Sequence, residues 1–119
     1  MSEKKSYNGS CHCGNVKYQA KIALERVISC NCSMCSRMGS LLTFVGPEDF
    51  ELLSGEDSLK DYRFNKHEIA HLFCTGCGIR SFARGATTDG KPMFAVNVRC
   101  LEGVDLATLQ IDHVDGRSY

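Results

Sequence analysis

Eight cysteines in a chain of 119 residues restrict what it can fold into more than any other feature. In order they stand as Cys11-x-Cys13, Cys30-x-Cys32-x-x-Cys35, Cys74-x-x-Cys77 and a solitary Cys100. An even cysteine count reads as a disulfide framework in a secreted chain and as metal or redox chemistry in the cytosol. The stretch Met1 to Ser10 is polar, carries Lys4 and Lys5, and leads into no apolar run. No signal peptide or membrane span is therefore expected, and the expected compartment is the cytoplasm. Metal binding is the expected use of the cysteines.

Their spacing carries the chemistry. A Cys-x-x-Cys turn sets two sulfurs within reach of one ion, and the glycines of Cys74-Thr75-Gly76-Cys77-Gly78 let backbone amides turn toward them. A Cys-x-Cys pair on extended backbone turns both side chains to one face. Two such pairs make a closed tetrahedral thiolate site, for which zinc is the expected ion. Cys11, Cys13, Cys74 and Cys77 would then tie the first strand to a late hairpin.

Cys30, Cys32 and Cys35 remain as a local triple. Three protein ligands and one open position is the pattern of catalytic zinc, whereas structural sites use four. A fourth ligand from Cys100, His12, His67, His71 or His113 would close the site and leave it only structural. Spacing alone leaves both readings open. It also permits the triple to share Cys13 or Cys77.

Between the cysteines the chain reads as short strands. Val16 to Ile22 alternates apolar and polar residues, the mark of a half-buried strand. Arg26 to Ser29, Leu41 to Val45, Leu59 to Phe64, His67 to Phe73, Ile79 to Ala83 and Met93 to Val98 are expected as further strands. Asn65-Lys66 would join two of them. Pro47 to Phe50 suits one helical turn, since Pro fits a first helical position. Val104 to Leu109 suits a short helix, and Gln110 to Tyr119 reads as a polar tail. Residues 1–119 are expected to form one domain with its core at about 7–109, mainly β. Lys plus Arg equals Asp plus Glu at 14 each, so no nucleic-acid partner is expected.

Three segments together resemble a known family. They are Gly9-Ser10-Cys11-His12-Cys13-Gly14-Asn15-Val16, Cys30-Asn31-Cys32-Ser33-Met34-Cys35 and Phe73-Cys74-Thr75-Gly76-Cys77-Gly78. The chain is similar, over about residues 7–105, to the glutathione-dependent formaldehyde-activating enzymes, whose relatives include centromere protein V. The resemblance implies an Mss4-like, tent-shaped β fold of short antiparallel sheets with one or two helical turns. It implies two zinc ions: a structural one on Cys11, Cys13, Cys74 and Cys77, and a catalytic one on Cys30, Cys32 and Cys35. It also implies a carbon–sulfur lyase that joins formaldehyde to the thiol of glutathione, giving S-(hydroxymethyl)glutathione.

Other classes stand beside this one. A closed second site would make the chain a zinc-stabilised binding module. A redox enzyme like methionine sulfoxide reductase B would need Cys100 as nucleophile. Cys100, however, ends the stretch Phe94 to Cys100 on the face of Phe94, Val96 and Val98, which reads as buried core. Arg37, Arg63, Arg80, Arg84 and Arg99 could meet the carboxylates of glutathione, or be ordinary solvated charges. Ser36, Arg37, Gly39 and Ser40 follow the triple closely, as a pocket rim or simply a turn.

Overall fold

A computed structural model describes residues 4–24, 27–31, 33–62, 70–86 and 89–114, with the side chains at 33–35 excepted. The elements in chain order are strands β1 (Lys5–Ser10), β2 (Lys17–Ile22) and β3 (Val27–Cys30), helix α1 (Ser33–Met38), and strands β4 (Leu42–Val45), β5 (Phe50–Ser54), β6 (Leu59–Tyr62), β7 (Ala70–Cys74), β8 (Phe82–Ala86), β9 (Pro92–Asn97) and β10 (Ile111–Val114). Short 3-10 turns cover Pro47–Asp49, Glu56–Ser58, Val98–Cys100 and Leu106–Thr108. The protein is mainly β, as its sequence predicts.

The strands form two sheets. One has three strands in the order β1-β2-β5, and the other seven in the order β10-β3-β4-β9-β8-β7-β6. All pairings are antiparallel except that of β10 with β3. The alternation along β2 turns Tyr18, Ala20 and Ile22 inward, and all three are buried. Tyr18 is fully buried, stacks on Phe50 with ring centroids 5.2 Å apart, and meets the edge of Phe82 at 5.6 Å. Phe50 in turn stacks on Phe94 at 4.3 Å. Two of these rings come from each sheet, so the cluster is what joins them. The Tyr18 hydroxyl adds a 3.2 Å hydrogen bond to the Ser81 carbonyl across the same interface. Burial pushes its phenol far above the usual range, so it stays a neutral donor.

Several segments differ from the sequence expectation. The polar start of the chain is strand β1, held by a complete antiparallel ladder to β2. Its outward side chains are polar because only one side of this sheet faces the core. The polar tail holds β10, which runs parallel to β3 with Ile111 opposite Val27. The strand expected from Ile79 begins at Phe82, because Cys74, Gly78 and Ile79 are engaged in a turn. The segment after the cysteine triple is helix α1, ended by Gly39 in a left-handed conformation (φ 70°). The Asn65-Lys66 turn lies outside the described residues. No helix among the described residues is long and apolar enough to cross a membrane.

Candidate metal centres

Two turns, one at the end of each sheet, are built alike. After β1, the Cys11 amide donates to the Val16 carbonyl at 3.1 Å; after β7, the Cys74 amide donates to the Ile79 carbonyl at 3.0 Å. Each turn thus closes over five residues and aims backbone N–H groups at sulfur. Val16 donates to Cys11 Sγ and Gly76 to Cys74 Sγ, both at 3.3 Å. Such bonds stabilise thiolate over thiol, which suits a ligand set. Gly76 lies close against the sulfurs. A Cβ there would stand 3.5 Å from Cys13 Sγ, 3.6 Å from Cys74 Sγ and 3.3 Å from the Asn15 amide nitrogen. Gly78, at φ 80°, supplies the left-handed step that ends the second turn.

The two turns meet. The sulfurs of Cys11, Cys13, Cys74 and Cys77 all lie within 4.8 Å of one another. Cys11 and Cys13 are 3.5 Å apart, Cys13 and Cys74 3.6 Å, far beyond the ~2.05 Å of a disulfide. Around an ion with sulfur at about 2.3 Å, tetrahedral sulfurs sit about 3.8 Å apart. The cluster therefore fits a tetrahedral metal ion, and its all-thiolate donor set suits zinc. Cys11 and Cys74 are buried while Cys13 is exposed and Cys77 half-buried, so the site lies at the edge of the core. The backbone amides of Cys13 and Ile79 bring the Cys77 thiol down to about 6. At Cys13 the pull of the Asn15 amide is outweighed, first by the Cys11 sulfur, and the thiol is pushed up to about 12.

The second set of cysteines is only partly in view. Cys30 ends β3, half-buried, opposite Val114, and the amide of Asn31 donates to the Val114 carbonyl at 3.1 Å. Cys32 and the side chain of Cys35 lie outside the described residues. Of the residues expected there as a pocket rim or a turn, Ser36 and Arg37 lie in α1 and Gly39 and Ser40 follow it; Ser36, Arg37 and Gly39 are exposed, whereas Ser40 is buried.

The candidate fourth ligands do not join the four-cysteine cluster, the one tight group of metal-binding side chains among the described residues. His12 is exposed on its turn, and His113 is exposed on β10. His71 is half-buried on β7, and burial, followed by the nearby Arg80 charge, lowers its pKa. His67 lies outside the described residues. Cys100 does not continue the β9 face, because the strand ends at Asn97 and Val98–Cys100 is a 3-10 turn. It is half-buried rather than core, with Sγ 3.9 Å from the Arg80 carbonyl. Burial raises its pKa, which weakens it as a nucleophile and disfavours the sulfoxide-reductase reading.

Sequence reasoning names Arg99 only as one of five candidate arginines and does not single it out. Its backbone amide is held by the Asn97 side chain at 3.2 Å, and its Nε donates to the Gly39 carbonyl at 3.0 Å. No pattern in the sequence separates it from the other arginines.

Comparison with known proteins agrees with this geometry. The family model for the glutathione-dependent formaldehyde-activating enzyme matches residues 6–112. A crystal structure of a Rhodobacter sphaeroides protein superposes with a TM-score of 0.79 at 28% identity, over 90% of this chain and 99% of that one. With both paired-cysteine turns, the Cys30 strand end and α1 inside the matched span, the chain belongs to the glutathione-dependent formaldehyde-activating enzyme family.

Proposed function

We propose that the chain adds the thiol of glutathione to formaldehyde, a carbon–sulfur lyase-type reaction in its reverse sense. A carbon–sulfur bond forms, the carbonyl π bond breaks, and the thiol proton ends on oxygen, giving S-(hydroxymethyl)glutathione. The observation that carries this reading is the family match across residues 6–112. The separation of Cys30 from the four-thiol cluster supports it. One set of cysteines is gathered where the two sheets meet, and Cys30 is left at a strand end apart from it.

In this reading Cys11, Cys13, Cys74 and Cys77 hold a structural zinc, and Cys30, Cys32 and Cys35 hold a second. When bound, the second ion would supply a positive field that favours the thiolate of a thiol placed beside it. The chain's own part is placement. The parallel pairing with β10 and the Asn31–Val114 hydrogen bond fix the backbone on which Cys30 sits. Gly39 turns the chain out of α1 toward β4, and α1 lies against β3. The six described cysteines are all free thiols, which suits a reducing compartment such as the cytoplasm.

Exchange spectroscopy by NMR tests the reaction, because glutathione and formaldehyde also combine spontaneously. The expected result is an exchange rate between free formaldehyde and its adduct that rises in proportion to added protein. A rate equal to the spontaneous background, at protein concentrations near those of the substrates, would retire the proposed reaction.

A further inference from the structure

We propose that a cleft between the two sheets is a second binding site, which takes a small planar aromatic ring bearing one carboxylate and pairs that carboxylate with Arg84. The cleft encloses about 490 Å³, an ordinary volume for a small-molecule site, and no cysteine lines it. Its apolar walls come from both sheets: Phe50 and Leu52 on β5, and Leu59, Leu72, Phe82 and Phe94 on β6 to β9. Strand β5 is the edge of the smaller sheet, so among the described residues no further strand of that sheet covers this end of the core. Leu72 and Phe82 are buried, whereas Phe50, Leu52, Leu59 and Phe94 are only half-buried.

The walls carry a ring platform. Phe50 and Phe94 stack with centroids 4.3 Å apart and planes 9° from parallel, and Phe82 meets Phe50 at 4.8 Å. Both stacked rings keep exposed surface where they line the cleft, which leaves them free to meet a further ring face-on or edge-on. Such a ring pair is worth more than the area it buries, so an aromatic ligand is favoured over a saturated one of the same size.

Arg84 supplies the charge. It follows Phe82 by two residues on β8, hence on the same core-facing side of the sheet, and it stands directly opposite Phe94. It is exposed where it lines the cleft, and among the described residues neither a hydrogen bond nor an ion pair engages it. Its planar fork of donors matches a carboxylate, and its place beside the platform lets one ligand meet both. The other charged residues of the lining are Lys60, Glu56 and Asp61, so beyond Arg84 the cleft has no surplus of positive charge. A ligand with several dispersed negative charges would meet those carboxylates, and one carboxylate beside the ring would not. Glutathione, with two carboxylates and no ring, does not fit this description, and the inference does not depend on the reaction proposed above.

NMR titration of the isotope-labelled full chain with cinnamate, with uncharged cinnamyl alcohol and with the saturated acid cyclohexanepropionate tests this without turnover. Cinnamate is expected to shift the backbone amides around Leu52, Arg84 and Phe94, and to bind about tenfold more tightly than the alcohol, the worth of a charge-assisted bidentate pair. It should also bind more tightly than the saturated acid, which has the charge and lacks the ring. Arg84 is exposed, so Arg84→Gln should keep the fold and the alcohol's affinity and bring acid and alcohol together. No saturable shift with any of the three ligands overturns the proposal, as do shifts centred away from the cleft. Equal binding of acid and alcohol by wild type, or an acid preference that survives in Arg84→Gln, overturns the assignment of Arg84. Equal binding of cinnamate and the saturated acid overturns the aromatic specificity.

Discussion

Cys74→Ser is expected to leave a chain that does not fold stably at room temperature, or one whose melting temperature falls by tens of degrees. Cys74 is fully buried at the end of β7, and its backbone and sulfur both serve the turn that follows. Its sulfur stands 3.6 Å from that of Cys13, which is 61 residues away in sequence. A metal shared by these two closes a long loop and ties the β1–β2 turn of one sheet to the β7–β8 turn of the other. A serine oxygen is a poor replacement for a thiolate at zinc, and it leaves the Gly76 amide without its sulfur acceptor. Structural zinc contributes roughly 10–16 kcal/mol in small domains, as much as the whole stability of a typical domain at about 5–15 kcal/mol. Cys35→Ser should behave differently and stay folded with one zinc, since Cys30 to Cys35 span a short local segment and cross-link little chain. Thermal melts with zinc analysis of both variants check the pair of expectations. Equal losses of stability would contradict the division between a structural and an open site.

Tyr18→Ala is expected to cost about 3–5 kcal/mol, the usual price of emptying a buried aromatic position. The ring contacts Phe50 and Phe82, one from each sheet, so its loss opens a cavity at the junction of the two. The strand beside it leaves room for the ring. Gly9 lies opposite Tyr18 in the β1–β2 ladder, and even a single Cβ at Gly9 would stand 2.3 Å from the ring. The space was made for this ring. Tyr18→Phe should cost only about 1 kcal/mol, because the Ser81 carbonyl keeps its 2.9 Å bond from the Asn97 amide. Denaturant unfolding of both variants, with unchanged slopes, gives the comparison. Similar losses for the two would place the energy in the hydroxyl rather than the ring.

The four-cysteine cluster was legible because its chemistry is written in spacing. Two short-range pairs with glycines beside them have few other uses in a reducing compartment, and the structure brings all four sulfurs together. Strand β2 was legible for a similar reason: its strict alternation is a direct record of one buried and one exposed face. The elements that sequence missed lack such a record. Strand β1, with Lys5, Ser6, Asn8 and Ser10, is mostly exposed and exists through its ladder to β2, a long-range pairing that leaves no local periodicity. Strand β10 likewise depends on β3, more than eighty residues earlier, and a parallel edge strand of four residues carries little pattern. The six-residue helix α1 is too short to show a helical period. Cys100 was placed in the core by extending the β9 alternation one step too far. Asn97, whose side chain caps the 3-10 turn that follows, ends the strand first.

The proposed function requires two metal sites of unequal strength, one a closed clamp between the sheets and one open beside Cys30. Native mass spectrometry of the purified chain during mild chelation measures this directly. The account predicts a two-zinc species that passes through a persistent one-zinc species, still folded, before the last ion is lost together with the fold. Simultaneous loss of both ions, or a chain that never holds more than one, would contradict it.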